Sequence, residues 1–290
     1  MAISAQLRDQ ILTFQENEIT EYHIYQNLAA RIKDEANARV LKIIAEDERR
    51  HHDKWKSLTQ AEVKPNQMRI WFYTLVSRIL GFTFGIKLME RGEEDAQGSY
   101  ELLRKEVPEA EQIIHDEIAH EEALVAMLDE ESLRYAGAIV LGLSDALVEL
   151  TGALAGLTLA LQNTSLIALS GLITGIAAAM SMAASEYLST RSEEGSKNPT
   201  KSAIYTGITY ILTVAILILP YLLLDNYYVC LAVALASAVI IIAAFNYYIS
   251  VAKDEPFRKR FLEMAGISLG VAGLSFVLGF IIRTTLGIEI

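Results

Sequence analysis

One cysteine, Cys230, is all that 290 residues contain. A single chain of this kind has no disulfide, no thiolate zinc site and no cysteine-held iron–sulfur centre. Cys230 sits in an apolar run, where a free cysteine packs as a small hydrophobe. Base is also scarce: 25 Lys and Arg stand against 36 Asp and Glu, for a net charge of −11. That balance argues against nucleic acid as a partner and suits cations. The opening "MAISAQLRDQILTFQENE" turns polar too early for a cleavable leader, which predicts an amino terminus that stays in the cytoplasm.

The charge that is present is unevenly spread. Residues 1–135 hold 26 of the 36 acids, 17 of the 25 bases and all five histidines. The remainder is dominated by long apolar runs. The expected class is all-α, with a soluble acidic domain over 1–131 and a membrane domain over 132–290. Five apolar stretches, near 136–161, 165–188, 203–224, 228–250 and 264–286, reach the roughly 20 residues that a bilayer crossing needs. Arg134, Arg191, Lys197, Lys201, Lys253, Arg258, Lys259 and Arg260 collect on one side of these spans, and only Arg283 on the other. The positive-inside rule then predicts a multi-pass protein of the cell membrane, its first domain cytoplasmic and its carboxyl terminus outside.

Three acids fall inside the spans. Asp145 and Glu149, in "GLSDALVELTGALAG", lie one turn apart on the same face of the first. Glu186, in "SMAASEYLSTRS", lies near the cytoplasmic end of the second. A charge at mid-bilayer costs roughly 2.5–3.5 kcal/mol on insertion scales, which is too much for a plain anchor to carry twice. Met180 and Met182 offer soft thioethers beside them. Gly152 with Gly156, and Gly171 with Gly175, make small-residue faces where helices can approach closely.

"GLSDALVELTGALAGL" followed by "SMAASEYLSTRSE" resembles the first two helices of the vacuolar iron transporter family, over roughly 134–290. The resemblance implies a homodimer that moves Fe²⁺ or Mn²⁺ out of the cytoplasm against protons. It places Asp145 and Met182 on the metal path, with Glu186 at the cytoplasmic mouth; Glu149, one turn from Asp145, is read as part of the same path. Ala146 stands where the family usually has glycine. The short "TRSEEGSKNPTKS" replaces the metal-binding insert of plant members, so metal collection falls to another part of the chain.

The first 130 residues read as helices near 4–31, 34–60, within 68–104, and 108–131, with Pro65 and Pro108 marking breaks. They repeat in pairs. Glu18 precedes Tyr25 by seven, as Glu93 precedes Tyr100; Glu48-x-x-His51 follows the first pair and Glu117-x-x-His120 the second. A three-residue step puts carboxylate and imidazole on one side of a helix. One Glu from each of two helices and Glu-x-x-His from each of two more is the ligand set of carboxylate-bridged dimetal bundles. Such donors suit iron or manganese.

The pattern resembles the ferritin-like superfamily, in particular rubrerythrin and the erythrins. The resemblance implies a four-helix di-iron bundle (manganese being the alternative metal) with ligands Glu18, Glu48, His51, Glu93, Glu117 and His120. Glu90 and Glu121 fall where rubrerythrins place extra carboxylates, and Tyr25 and Tyr100 stand as hydrogen-bonding neighbours of the ligands. Glu21 is one turn from Glu18. His52 points about 100° from His51 and reads as a solvated surface histidine, and His23 and His115 fit no spacing. "IWFYTLVSRILGFTFGIKLM" carries Arg78 and Lys87, which oppose a sixth span; it reads as part of one long helix packing on a partner subunit or the membrane surface.

The joint architecture resembles bacterial membrane-bound ferritin-like iron exporters. The alternative is a membrane-tethered dimetal oxidase or peroxidase of rubrerythrin type, with ferroxidase or peroxidase activity in the bundle. One cysteine cannot build the iron domain that usually feeds such enzymes with electrons.

Overall fold

The computed structural model describes residues 5–89, 91, 107, 109–126, 134–193 and 197–286. Every regular element among them is helical, as the all-α reading expects. The chain divides into two compact units, Met1–Glu130 and Glu131–Ile290.

The first unit contains α1 (Ala5–Ala29), α2 (Glu35–Thr59), α3 (Gln67–Leu80), a helical run α4 (82–89) and α5 (Glu109–Ala126). Side-chain caps set the starts. Asp34 accepts from the Asn37 amide to open α2, and Asn66 accepts from the Arg69 amide to open α3. Gln60, left-handed at φ 53°, closes α2. Asn66 also donates its own backbone N–H to Thr20 Oγ1 at 2.9 Å, which pins the start of α3 to α1.

The long third helix expected over 68–104 is broken. Gly81 adopts φ 97°, ψ 152°, a conformation that glycine reaches without a β-carbon clash, and α3 stops at Leu80. Most of that helix's expected far half, with Glu90, Glu93 and Tyr100, lies outside the described residues.

Three helices of this unit share one pattern. Leu7, Ile11 and Phe14 on α1, Trp55 on α2 and Ala110 and Ile113 on α5 form one apolar cluster. Ile24 and Leu28, Leu41 and Ile44, and Leu124, on the same three helices, belong to a second. Between these two groups in sequence each helix carries acids or histidine: Glu18, then Glu48 and His51, then Glu117 and His120. The apolar stripe of each helix is therefore interrupted by ionisable groups between flanks that exclude water.

The second unit consists of α6 (Ala136–Leu161), α7 (Thr164–Ser192), α8 (Pro199–Leu223), α9 (Tyr227–Lys253) and α10 (Phe257–Leu286). All five are long and apolar enough to cross a membrane. Asn163, Asn198 and Asn226 cap the starts of α7, α8 and α9, satisfying amides that the helix itself leaves unpaired.

Helix α6 is the hub. A β-carbon on Gly142 would fall inside van der Waals contact of the Thr206 carbonyl oxygen of α8. One on Gly279 of α10 would do the same to the Gly156 carbonyl oxygen. Gly152 faces Val271 of α10, while Gly171 and Gly175 of α7 face Leu154 and Val214. Hydroxyls then bridge the helices. Thr206 Oγ1 donates to the Ala138 carbonyl at 3.1 Å, Ser268 Oγ to the Leu147 carbonyl at 2.8 Å, and Thr158 and Tyr221 pair at 2.8 Å. Without water between helices, close backbone approach and such bonds are what hold a membrane bundle together. Cys230 is buried, its Sγ 3.3 Å from the Pro220 carbonyl.

Candidate metal centre and intramembrane carboxylates

Glu18, Glu48, His51 and Glu117 each point one ligand atom into a common space, with these atoms all within 4.8 Å of one another. They come from three helices. His51 Nδ1 stands 3.5 Å from Glu18, 3.5 Å from Glu48 and 3.2 Å from Glu117. His120 adjoins them, with Nδ1 3.2 Å from Glu48 and 3.7 Å from Glu117. The two imidazoles stack at 5.8 Å between centroids.

These distances are ionic, yet the atoms are not aligned as hydrogen bonds. Glu18 Oε2, Glu48 Oε2, His51 Nδ1 and His120 Nδ1 are all buried with no hydrogen-bond partner. Four buried polar atoms left without such partners are costly unless something satisfies them. A divalent cation fits: the set mixes carboxylate oxygen with imidazole nitrogen, as iron and manganese prefer. Glu48 lies within reach of both histidines.

The far sides of the imidazoles are occupied. His51 Nε2 lies 3.1 Å from Asp116 Oδ2, and His120 Nε2 lies 3.1 Å from Asp47 Oδ2. An ionised carboxylate only accepts, so each Nε2 donates its proton to an aspartate, and each Nδ1 is the nitrogen left to face the other carboxylates. The bracing is reciprocal: α5 supplies the aspartate for the α2 histidine, and α2 supplies it for the α5 histidine. Neither aspartate emerged from the sequence, although the signal was there. Each Glu-x-x-His is in fact Asp-Glu-x-x-His, at Asp47–His51 and Asp116–His120. Trp55 was also missed; its Nε1 donates to Glu18 Oε1 at 3.0 Å. Lying four residues after His51, it was legible as a member of the same helix face.

The electrostatics follow from the crowding. Burial alone would lower the His51 pKa, but Glu117, Glu18 and Glu48 outweigh it and hold the imidazole far above its usual range. Burial opposes the proton on His120 too, yet Glu117 and Glu48 raise it to about 10. Burial and the neighbouring Glu48 and Glu117 push Glu18 well above the ordinary carboxyl value, against the pull of His51. Glu117 is held low by His120 and His51 despite its burial.

The remaining candidates scatter. Glu21 is buried, with Arg69 3.9 Å away. Tyr25 belongs to the apolar cluster around Ile24 and Leu41. Glu121 lies on α5, its side chain outside the described set, and His115 is exposed. His52 is not the solvated histidine that helical geometry suggested. It is 7% exposed, held 3.4 Å from Gln15 Nε2 and 3.0 Å from Asp53. The segment after α2 covers this corner, since Gln15 also donates to the Ala61 carbonyl.

In the second unit Tyr210 of α8, fully buried, donates its hydroxyl to Glu149 Oε2 at 3.0 Å. Asp145, one turn earlier on α6, also interacts with Tyr210. Glu186 on α7 accepts from Ser202 of α8 at 2.5 Å and from Thr190 at 3.1 Å. Met182 is half-buried against the core and Met180 is exposed.

The VIT family matches residues 136–197, which takes in α6 and α7 and with them Asp145, Glu149, Met182 and Glu186. That match covers only the first two of the five long apolar helices, which together make the chain a multi-pass membrane protein. No curated protein matches the chain.

Proposed function

We propose that the protein carries Fe²⁺ or Mn²⁺ out of the cytoplasm in exchange for protons. In this reading it acts as a homodimer of the cell membrane, with the first unit cytoplasmic and the carboxyl terminus outside. The observation that carries the proposal is the Asp145–Glu149 pair, one turn apart on a membrane helix, with Glu149 bonded to Tyr210, in a segment of VIT type. Each carboxyl is neutral when protonated and charged when a cation replaces the proton, so proton and metal compete for one site. Met182 adds a thioether to that path, and Glu186, held by Ser202 and Thr190, receives the cation at its cytoplasmic mouth.

The first unit is read as a ferritin-like, rubrerythrin-type bundle ending near residue 131. Glu18, Glu48, His51, Glu93, Glu117 and His120 would hold the metal, with Glu90 and Glu121 as further carboxylates and Tyr25 and Tyr100 beside them. A bound dinuclear centre supplies one-electron redox chemistry. The chain's own part is to orient the imidazoles through Asp116 and Asp47, to anchor Glu18 through Trp55, and to exclude water with the flanking apolar clusters.

Proteoliposomes filled with a metal-sensitive dye test the transport claim. Wild type should take up Fe²⁺ or Mn²⁺ faster than Asp145→Ala, and equal uptake would end it. The tethered oxidase or peroxidase remains the second reading, favoured by the burial of Glu18, Glu48 and His51 in that cluster. It predicts metal-dependent turnover that His51→Ala abolishes and Asp145→Ala leaves intact.

A further inference from the structure

Helix α3 is built inside out. Ile70, Thr74 and Ser77 face inward and are buried. Outward, Met68 is 79% exposed, Trp71 64%, Phe72 44% and Ile79 68%. Positions 68, 71, 72, 75 and 79 follow the helical period and form one continuous apolar stripe. Two of the inward residues, Thr74 and Ser77, carry hydroxyls that are buried without a hydrogen-bond partner. A helix that turns its hydroxyls to the core and its tryptophan outward has an outer medium other than water.

Charge selects that medium. The first 135 residues hold 26 acids, yet the run from Val63 to Met89 contains none and carries Lys64, Arg69, Arg78 and Lys87. Arg78 is exposed and lies seven residues beyond Trp71, on the same face; Lys64 is exposed just before the helix. A second copy of the chain meeting this face symmetrically would bring base against base, with no acid in the patch to pair them. Anionic lipid headgroups supply the missing charge, and the acyl boundary takes Trp71, Phe72 and Met68. The unit is tied by its own chain to five membrane-spanning helices, so a bilayer is always near.

We propose that α3 lies flat on an anionic lipid surface, with Met68, Trp71, Phe72 and Ile79 sunk into it and Lys64 and Arg78 at headgroup level. The acid-rich remainder of the unit is repelled by the same surface, which favours contact through α3. This inference is independent of what the membrane unit carries.

The chain has two tryptophans, and the other, Trp55, is fully buried. The full chain is reconstituted in phosphatidylcholine–phosphatidylglycerol vesicles whose acyl chains are brominated close to the headgroup. Bromine should quench the Trp71 share of the emission, and Trp71→Phe should remove that loss, leaving the unquenched Trp55 signal. Quenching by aqueous iodide instead of bromine would place the face in water and overturn the proposal. Protection from both quenchers would mean that protein covers the stripe, in favour of a second copy, and would overturn it equally.

Discussion

His51 and Asp116 are 65 residues apart in sequence and meet at 3.1 Å, imidazole Nε2 to carboxylate. The same distance separates His120 from Asp47 across 73 residues. Each contact fixes a ring whose other nitrogen, Nδ1, faces Glu48 and Glu117. A metal ligand that must find its own tautomer and angle binds more weakly than one already set.

Asp116→Ala should therefore lower affinity for Mn²⁺ by about 10–100-fold, the usual cost of losing such an outer carboxylate. Asp116 is partly exposed, so its loss leaves no cavity in the core. Calorimetric titration of the purified full chain with Mn²⁺ reads the change. An unaltered affinity would show that the ring is oriented by packing alone.

Metal and protons should compete at this cluster. The folded protein holds both histidines above the ordinary value of 6.5, His120 at about 10. Their charged form stabilises the metal-free fold. That contribution is complete below about pH 6.5 and, for His120, is lost as the pH climbs through about 10. Glu117 works in the opposite sense: its low value adds stability above about pH 4.5, lost as the pH falls through the lowered value. Near neutrality, then, an incoming cation has to expel imidazolium protons. Mn²⁺ added to weakly buffered protein at pH 7 should acidify the solution, and affinity should rise from pH 6 to pH 8. Binding without proton release would contradict the charge state argued for the two rings.

In the membrane unit, glycine is used where backbones nearly touch. Gly142→Ala should destabilise the bundle by about 1–3 kcal/mol, the range for forcing extra volume into a packed interior, because its β-carbon meets the Thr206 carbonyl. Gly137→Ala on the same helix has nothing within 4 Å and should be harmless. Thermal unfolding of the two variants in detergent, side by side, makes the comparison. Equal melting points would mean that α6 and α8 are free to separate.

Much of this was readable before any coordinates. The five spans follow from apolar length, and α7 to α9 open at asparagines that stand before each run. The double Glu-x-x-His spacing picked out Glu48, His51, Glu117 and His120 because residues three apart share a helix face, a local rule. What escaped depends on which helices become neighbours. Asp47 and Asp116 are one residue out of register with their own Glu, so nothing local aims them at a histidine on another helix. His52 looked solvated from its angle on α2, but Gln15 and the Ala61 segment close over it. The apolar run around Gly81 read as part of one long helix, but the positive φ of Gly81 turns the chain there.

Tyr210 offers the sharpest separation between a transport path and an anchor. Its hydroxyl is the described hydrogen-bond donor to Glu149, reaching from α8 to α6. Tyr210→Phe keeps the ring and its packing and deletes one bond, which for a charged acceptor contributes about 1.5–3 kcal/mol. If Glu149 must hold a cation and release it, loss of its fixed position should slow initial Mn²⁺ uptake into proteoliposomes by about tenfold or more, since each 1.4 kcal/mol is a factor of ten. If the helices only tether the first unit, the same variant should melt slightly earlier and change no rate of metal movement. A slowed flux with an intact melting point ties the carboxylate to the path. An unslowed flux with a lowered melting point assigns Glu149 to helix packing and leaves Asp145 and Glu186 as the acids open to a metal route.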